Sequence, residues 1–399
     1  MAPHTIKPGT AIKQDVVSAD GNTLIARAGT TLTEKHAELV ARGKAVLVSP
    51  ASRLDQATKD KIKRRLKLIF SAQDMTDPMV RELFKLTYNF LGSRLATRAG
   101  LPDSLTKKPR ARDGQTDFPP AAVSPKALID RLGEMASFPD IYFNLSQTLQ
   151  RPNVSAADIA KVVSSDMVLS ARLLKVVNSP FYGFRAKIDT VHRAIALTGM
   201  NELLTMALGM TAVNYFQDIP PGFITLESFW RHSIGCGLLA RSLAENMEGM
   251  NPERLFTAGL LHDLGRLVMS KELPQLTATS MGLALEKRIP LVDAEQMILG
   301  FDHAQIGGEL LRQWSFPDIL VSLVENHHSP MHSVSPGEAC LIRLADMVSN
   351  VLNASRGAPY VLAKLDPEVS AELKLPPGEL SRAIDEHDEQ IADLLRVFT

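Results

Sequence analysis

Six side chains able to bind a metal ion are spread across the middle of the chain. They are His232 in SFWRHSIGC, His262 and Asp263 in TAGLLHDLGRLVMS, His303 in GFDHAQIGG, His327 in VENHHSP and Asp346 in RLADMVS. Neutral imidazoles together with carboxylates suit borderline or hard divalent ions such as Zn, Mn, Fe or Mg. Leu260, Leu261, Leu264, Leu267 and Val268 follow the spacing of a buried helical face, yet the same stretch carries His262, Asp263 and Arg266. Ionisable groups lose hydration in such a core unless they are paired or bound to a metal. Taken singly, each residue has a plainer explanation: a hydrogen-bonded core histidine, a packing carboxylate at Asp346, or a helix at His303 that begins after the N-cap Asp302. For His328 and His332, at a helix end or in a loop, the plainer explanation is the expected one. The ordered set on successive elements points instead to a shared site, a working metal centre or the remnant of one. On a continuous helix His262 and Asp263 point about 100° apart, so Asp263 could bridge two ions while His262 binds one.

The elements that must position these groups are helices. From Pro125 to Asn353 one apolar-periodic segment follows another with short breaks, and each candidate ligand falls on or at the edge of a separate one. Side chains from several helices converging on one interior point are the usual way a bundle holds a metal. Ser155 with Asp158, and Ser335-Pro336 with Glu338, read as helix starts, the second as a capping box. Before this bundle, residues 5–50 hold short β-favouring runs broken at Asp20-Gly21 and Ala28-Gly29, a short helix around Thr33–Arg42 and a last strand AVLVS, a small α+β module. Residues 51–100 read as a helical segment made locally basic by KDKIKRRLK, which is expected to be a solvated face. Residues 101–124, dense in Pro and charge, read as a linker. Residues 354–399 read as an acidic helical tail, expected to be solvated. Nine acidic and three basic residues fall between Asp366 and Thr399.

Bulk composition narrows the function classes. The 399 residues include 44 basic and 44 acidic side chains, so no global charge favours DNA, RNA or a membrane surface. With 45% apolar and 6% aromatic residues the chain reads as mainly helical. Cys236 and Cys340 are far apart and form no CxxC pair, which suits free thiols in a reducing compartment. MAPHTIKPGT lacks the apolar core of a signal peptide, and no apolar run approaches the roughly 20 residues of a membrane span. A cytoplasmic protein is expected.

His232, His262-Asp263 and Asp346 match the H…HD…D pattern of the HD superfamily of metal-dependent phosphohydrolases. More closely, the chain from about Pro125 to Asn353 resembles an HDOD domain, the HD-related output domain of bacterial signalling proteins. The resemblance is carried in order by VVSSDMVLSARLLKVVNSPFYGF, TVHRAIALTGMNEL, FWRHSIGCGLLARSLAE, TAGLLHDLGRLVM, ILGFDHAQIGGELLRQWSFPDIL and ENHH. It implies an all-helical HD-like bundle preceded here by the small α+β module, which is itself similar to the N-terminal module of HD-GYP proteins. By resemblance His232, His262, Asp263 and Asp346 could hold one metal, and His303 and His327 could complete a second site with His328 as a neighbour. Fe, Mn or Zn is the expected ion. The catalytic surroundings depart from those of HD-GYP phosphodiesterases. Arg266 replaces the Lys of HDxGK, and HHSPMHSVSPGE lacks both the Glu after the paired histidines and the GYP. Ser228 stands where trinuclear relatives place a carboxylate. The resemblance therefore implies a signal-transduction or regulatory protein that senses or binds a protein partner or a nucleotide. The alternative is a metal-dependent phosphohydrolase in which Asp263 and Arg266 serve catalysis. Cyclic di-GMP hydrolysis is not expected.

Overall fold

The computed structural model describes residues 15–19, 24–26, 33–42, 44–48, 54–97, 124–135, 144–145, 147–148, 154–179, 182–184, 186–200, 203, 206–207, 210, 225–353, 361–376 and 378–398. Apart from Ser124, the linker expected at 101–124 lies outside them. The chain divides into two units: residues 1–71, 75–108 and 354–359, and residues 72–74, 109–353 and 360–399.

In the first unit, β1 (Asp15–Ser18), β2 (Leu24–Ala26) and β3 (Ala45–Val48) form an antiparallel sheet of order β2-β1-β3. Helix α1 (Glu34–Ala41) begins at a Thr33 capping box. Val16 and Ala45 form a small core with Ile25, Leu39 and Val40. Helix α2 (Gln56–Ile69) is capped by Asp55 and buries Ile62, Leu66 and Ile69 at helical spacing, with Lys63, Arg64 and Lys67 exposed. Helix α3 (Pro78–Thr97) packs on it, Phe70 meeting Phe84 edge-on at 5.2 Å.

The second unit is helical in its described residues. Four helices, α4 (Pro125–Met135), α5 (Ala156–Ser165), α6 (Met167–Val177) and α7 (Val191–Thr198), precede the bundle proper. Ser155 and Asp158 form the capping box that starts α5. The bundle follows as α8 (Leu226–Ala244), α9 (Pro252–Leu261), α10 (Leu264–Glu272), α11 (Pro274–Lys287), α12 (Leu291–Leu299), α13 (His303–Gln313), α14 (Asp318–Glu325) and α15 (Pro336–Asn353). Helices α16 (Pro367–Leu373) and α17 (Glu379–Phe398) end the chain.

Three local expectations change. The stretch Thr257–Ser270 is not one helix, because α9 stops at Leu261 and α10 starts at Leu264, with a turn at His262 and Asp263. Gly265 explains the tight start of α10, since a Cβ there would collide with the His303 carbonyl and lie 2.8 Å from Gly307 N. The Ser335 capping box does not form. Ser335 N donates to Ser333 Oγ (3.2 Å), while Glu338 accepts from Arg254 (2.6 and 2.9 Å) and from Asn251 N (3.1 Å). Finally, the C-terminal segment is helical but packed rather than solvated. Leu380, Ala383, Ile384, Ile391 and Leu394 are buried, and Arg382 donates to Ser242 O of α8 at 2.6 Å. Five apolar residues on one stripe outweigh the acidic residues on the other faces.

Candidate metal centre

Close helix packing brings the ligating groups together. A Cβ on Gly259 of α9 would stand 2.7 Å from the backbone of Gly237 in α8. The two helices therefore cross nearly in backbone contact, and His232 of α8 reaches His262. Ser349 Oγ of α15 donates to the His232 carbonyl (2.9 Å), tying α8 to the helix that carries Asp346. His262 remains helical, but Asp263, at φ −98° and ψ 6°, falls in the sparsely populated bridge region. That break replaces the 100° divergence of a continuous helix. Across it, His262 Nε2 and Asp263 Oδ1 are 3.5 Å apart. Asp302 caps α13 through Ala304 N (2.9 Å) and Gln305 N (3.1 Å), so His303 both begins its helix and joins the cluster. His327 and His328 follow the last turn of α14.

Around the first centre, His232 Nε2 lies 3.2 Å from His262 Nε2, 3.2 Å from Asp346 Oδ1 and 3.5 Å from Asp263 Oδ2. His262 Nε2 lies 3.5 Å from Asp346 Oδ1. Atoms bonded to a common ion at about 2.1 Å stand roughly 3.0–3.4 Å apart, between the octahedral and tetrahedral limits. Separations of 3.5 Å are too long for good hydrogen bonds, so this spacing suits a shared ion better than a closed polar knot. Asp263 faces the second group as well, with Oδ1 3.2 Å from His303 Nε2. The ligating atoms of His303, His327 and His328 all lie within 4.8 Å of one another. His327 Nε2 is buried without a hydrogen-bond partner, while His327 Nδ1 donates to Val324 O at 2.7 Å. A lone pair left unused inside a polar cluster is the signature expected of a ligand awaiting a cation. The donor set therefore fits one ion, or two sharing Asp263.

Supporting groups orient the rings. His262 Nδ1 donates to Gly259 O (2.7 Å), and His303 Nδ1 donates to Glu295 Oε2 of α12 (2.5 Å), which also accepts from His303 N (3.1 Å). Arg266 Nη1 donates to Asp263 Oδ2 (2.7 Å), and Asn350 Nδ2 donates to Asp346 Oδ1 (2.7 Å). Arg343 of α15 is buried and reaches His328 Nδ1 (3.0 Å) and Lys364 O (2.8 Å).

Burial acts against charge throughout, yet the partners decide the outcome. Asp263 is desolvated but held well below the usual carboxylate range by His262, Arg266 and His303; Asp346 is likewise held down by His232 and His262. His262, despite burial, is pushed well above the ordinary imidazole value, chiefly by Asp263. Burial next to His262 and His303 takes His327 down to about 3. Burial, the neighbouring histidines and Arg343 also lower His328 well below its ordinary value. Neutral imidazoles are the form that binds metal.

All six residues singled out from the sequence, with Arg266, thus meet at one place. His332 is exposed and stands apart, and Ser228 is exposed at the start of α8, bonded to Thr225. Sequence reasoning missed Glu295 and Arg343. The signal was present in both cases: Glu295 falls on the buried stripe of α12 with Ala294 and Leu299, and Arg343 interrupts the apolar run CLIRLADMV. The cluster opens into a cleft of about 480 Å³, open mouth included, lined by Arg266, Leu291, His328, Arg343, Met347 and Leu362 among others.

This fold and cluster define a helical HD-type bundle with a histidine–aspartate centre. The HDOD domain family matches residues 135–330, and the chain is an HDOD-domain protein. The match includes every candidate ligand except Asp346. Among solved structures, the chain resembles a protein of Shewanella amazonensis SB2B provisionally named a phosphohydrolase (TM-score 0.55, 20% identity, 68% of this chain and 98% of that one). It also resembles an HDOD domain protein of unknown function from Geobacter sulfurreducens (TM-score 0.51, 21% identity, 68% of this chain and 96% of that one). At these identities the likeness concerns the fold. Among curated sequences, an uncharacterized protein of Treponema pallidum (strain Nichols) is 24% identical over 229 residues, 56% of this chain and 43% of that protein. A Ribonuclease Y of Fervidobacterium nodosum is 22% identical over 50% of this chain and 32% of its own length. The chain thus spans less than half the length of these relatives. No helix among the described residues is long and apolar enough to cross a membrane.

Proposed function

We propose that this protein is a signal-transduction regulator whose HDOD domain binds divalent metal through His232, His262, Asp263, Asp346, His303 and His327, and senses a phosphate-bearing nucleotide or a protein partner. The observation that carries the reading is the set of 3.2–3.5 Å separations among ligating atoms from α8, the α9–α10 turn and α15. Fe, Mn or Zn suits this imidazole–carboxylate set. His262 and His303 present Nε2 inward because Gly259 O and Glu295 hold their Nδ1 protons. The module at residues 5–50 is assigned to docking, joined to the helical domain through 101–124.

A second reading, a metal-dependent phosphohydrolase, is favoured by the opening of the cluster into a cleft beside Arg266. A bound metal would supply an activated water and polarise a phosphoryl oxygen. In that reading Asp263 orients the centre and Arg266 neutralises charge on the phosphoryl group. Arg keeps the charge of the Lys it replaces but cannot donate its proton as an acid. Turnover of cyclic di-GMP and of a panel of nucleotides and phosphate esters by Mn- or Fe-loaded protein separates the readings. Weak or no turnover is expected. Robust turnover abolished by Asp263→Ala would overturn the regulatory reading.

A further inference from the structure

We propose that residues 361–365 form a gate over the cleft of the histidine–aspartate cluster, held shut by Gln73 acting as a latch. The proposal deepens the reading above, since it says how entry to that same site is controlled, yet the gate itself is testable without metal.

One wall of the cleft differs from the others. Arg266 and Leu291 stand in the first turns of α10 and α12, and Arg343, Met347 and Asn350 stand on α15. Moving any of these away means unwinding or shifting a packed helix. Val361, Leu362 and Ala363 line the same cleft from a non-helical strap just before α16. Val361, Leu362 and Leu365 are buried, so apolar contact favours the closed position.

Buried backbone groups also need hydrogen-bond partners, and in this strap side chains supply them. Gln73 Nε2 donates to Leu362 O (2.9 Å) and Ala363 O (3.0 Å), and Gln73 Oε1 accepts from Leu365 N (2.9 Å). Arg343 Nη2 donates to Lys364 O (2.8 Å). A primary amide offers two donors and an acceptor at one end, so a single glutamine does for the strap what a neighbouring strand would do. Gln73 is buried and lies in the connection between α2 and α3, within residues 72–74 that group with the helical unit. Leu362 is 289 positions further along the chain. Displacing that connection withdraws three of the strap's hydrogen bonds at once. A segment held by a few side-chain bonds opens locally at a lower cost than the helices around it, and its opening widens the way to the cluster. Gln73 is thus a positioning residue. It is a cleaner probe than Arg343, which also touches His328 at 3.0 Å.

Met347 is buried and lines the cleft, so Met347→Cys puts a thiol beneath the strap. Its labelling by dithiobis(nitrobenzoate) in metal-free, full-length protein reads entry directly, while the buried Cys236 and Cys340 should stay unlabelled. Labelling should be about 10–100-fold faster when Gln73→Met, which removes all three hydrogen bonds, is added. Equal rates would overturn the gate, as would labelling of Cys236 and Cys340 in step with the new thiol, which reports loss of the fold. Wild type supplies a second measurement. The Leu365 amide should exchange with deuterium at least about tenfold faster than the amides in the middle of α15; equal exchange would mean that only global opening occurs and would overturn the proposal. With Mn, Gln73→Met should speed uptake and chelator-driven loss by the same factor and leave affinity within about threefold. Weaker binding with unchanged uptake would make Gln73 a support for the ligands and refute the latch. No Mn uptake by wild type would overturn the metal-binding reading, and the thiol rates would still decide the gate.

Discussion

Replacing Glu295 tests whether the cluster is tuned for metal from outside its ligands. Glu295 is buried and accepts from both Nδ1 and the backbone N–H of His303, at 2.5 and 3.1 Å. In Glu295→Gln the amide oxygen can still accept, so the ring keeps its orientation and loses mainly the charge behind it. Hydrogen bonds to charged groups contribute about 1.5–3 kcal/mol, against about 1 for neutral ones. The difference is therefore about 0.5–2 kcal/mol. At 1.4 kcal/mol per tenfold this is a loss of roughly 2–30-fold in metal affinity. Glu295→Ala leaves the Nδ1–H without its acceptor, costs about 1–3 kcal/mol of stability and should weaken metal further. Affinity is read by competition with a chelator and stability by thermal melts of the metal-free protein. If both variants bound Mn within about twofold of wild type, the claim that His303 ligates through Nε2 with Glu295 behind it would be refuted.

Gly265→Ala should force α10 away from the start of α13, because the new methyl meets backbone atoms of His303 and Gly307 rather than a yielding side chain. Overpacking of this kind costs about 1–3 kcal/mol, a fall in Tm of roughly 3–10 °C; an unchanged Tm would contradict the described contact. His262 is raised well above 6.5 and His303 to about 10 in the metal-free protein, so metal uptake at both near pH 7 should release about two protons, measured by calorimetry in buffers of different ionisation enthalpy. Asp263 and Asp346 are held well below 3.8, so their contribution is present above that value and is lost as pH falls through the folded values. Metal-free Asp263→Asn/Asp346→Asn protein should lose stability less steeply than wild type below about pH 4. Limited proteolysis should cut first between Pro102 and Ser124; early cuts within Ser155–Phe184 instead would refute that linker.

The clustered histidines and aspartates were legible because their types are rare in apolar helical stretches, and they recur in order along the bundle from α8 to α15. The break between α9 and α10 was not legible, since LLHDLGRL has unbroken helical periodicity and the cause, Gly265 against α13, is a tertiary contact. Glu295 and Arg343 were passed over for a different reason. A carboxylate inside an amphipathic helix and an arginine three residues before an aspartate look like ordinary charges until burial is known. The packing of α17 was hidden by its composition, because six acidic residues drew attention from the apolar stripe that docks on α8.

Metal content is the most direct test of the central claim, measured by elemental analysis of protein purified without chelator and of protein reconstituted with Mn, Fe or Zn. Wild type should hold one or two equivalents and melt at a higher temperature with metal, since an ion that binds only the folded state must stabilise it. The His262→Ala/Asp263→Ala variant, folded by circular dichroism, should hold none. Equal metal in both proteins, or a wild type that neither holds metal nor gains stability from any of the three ions, would contradict the account.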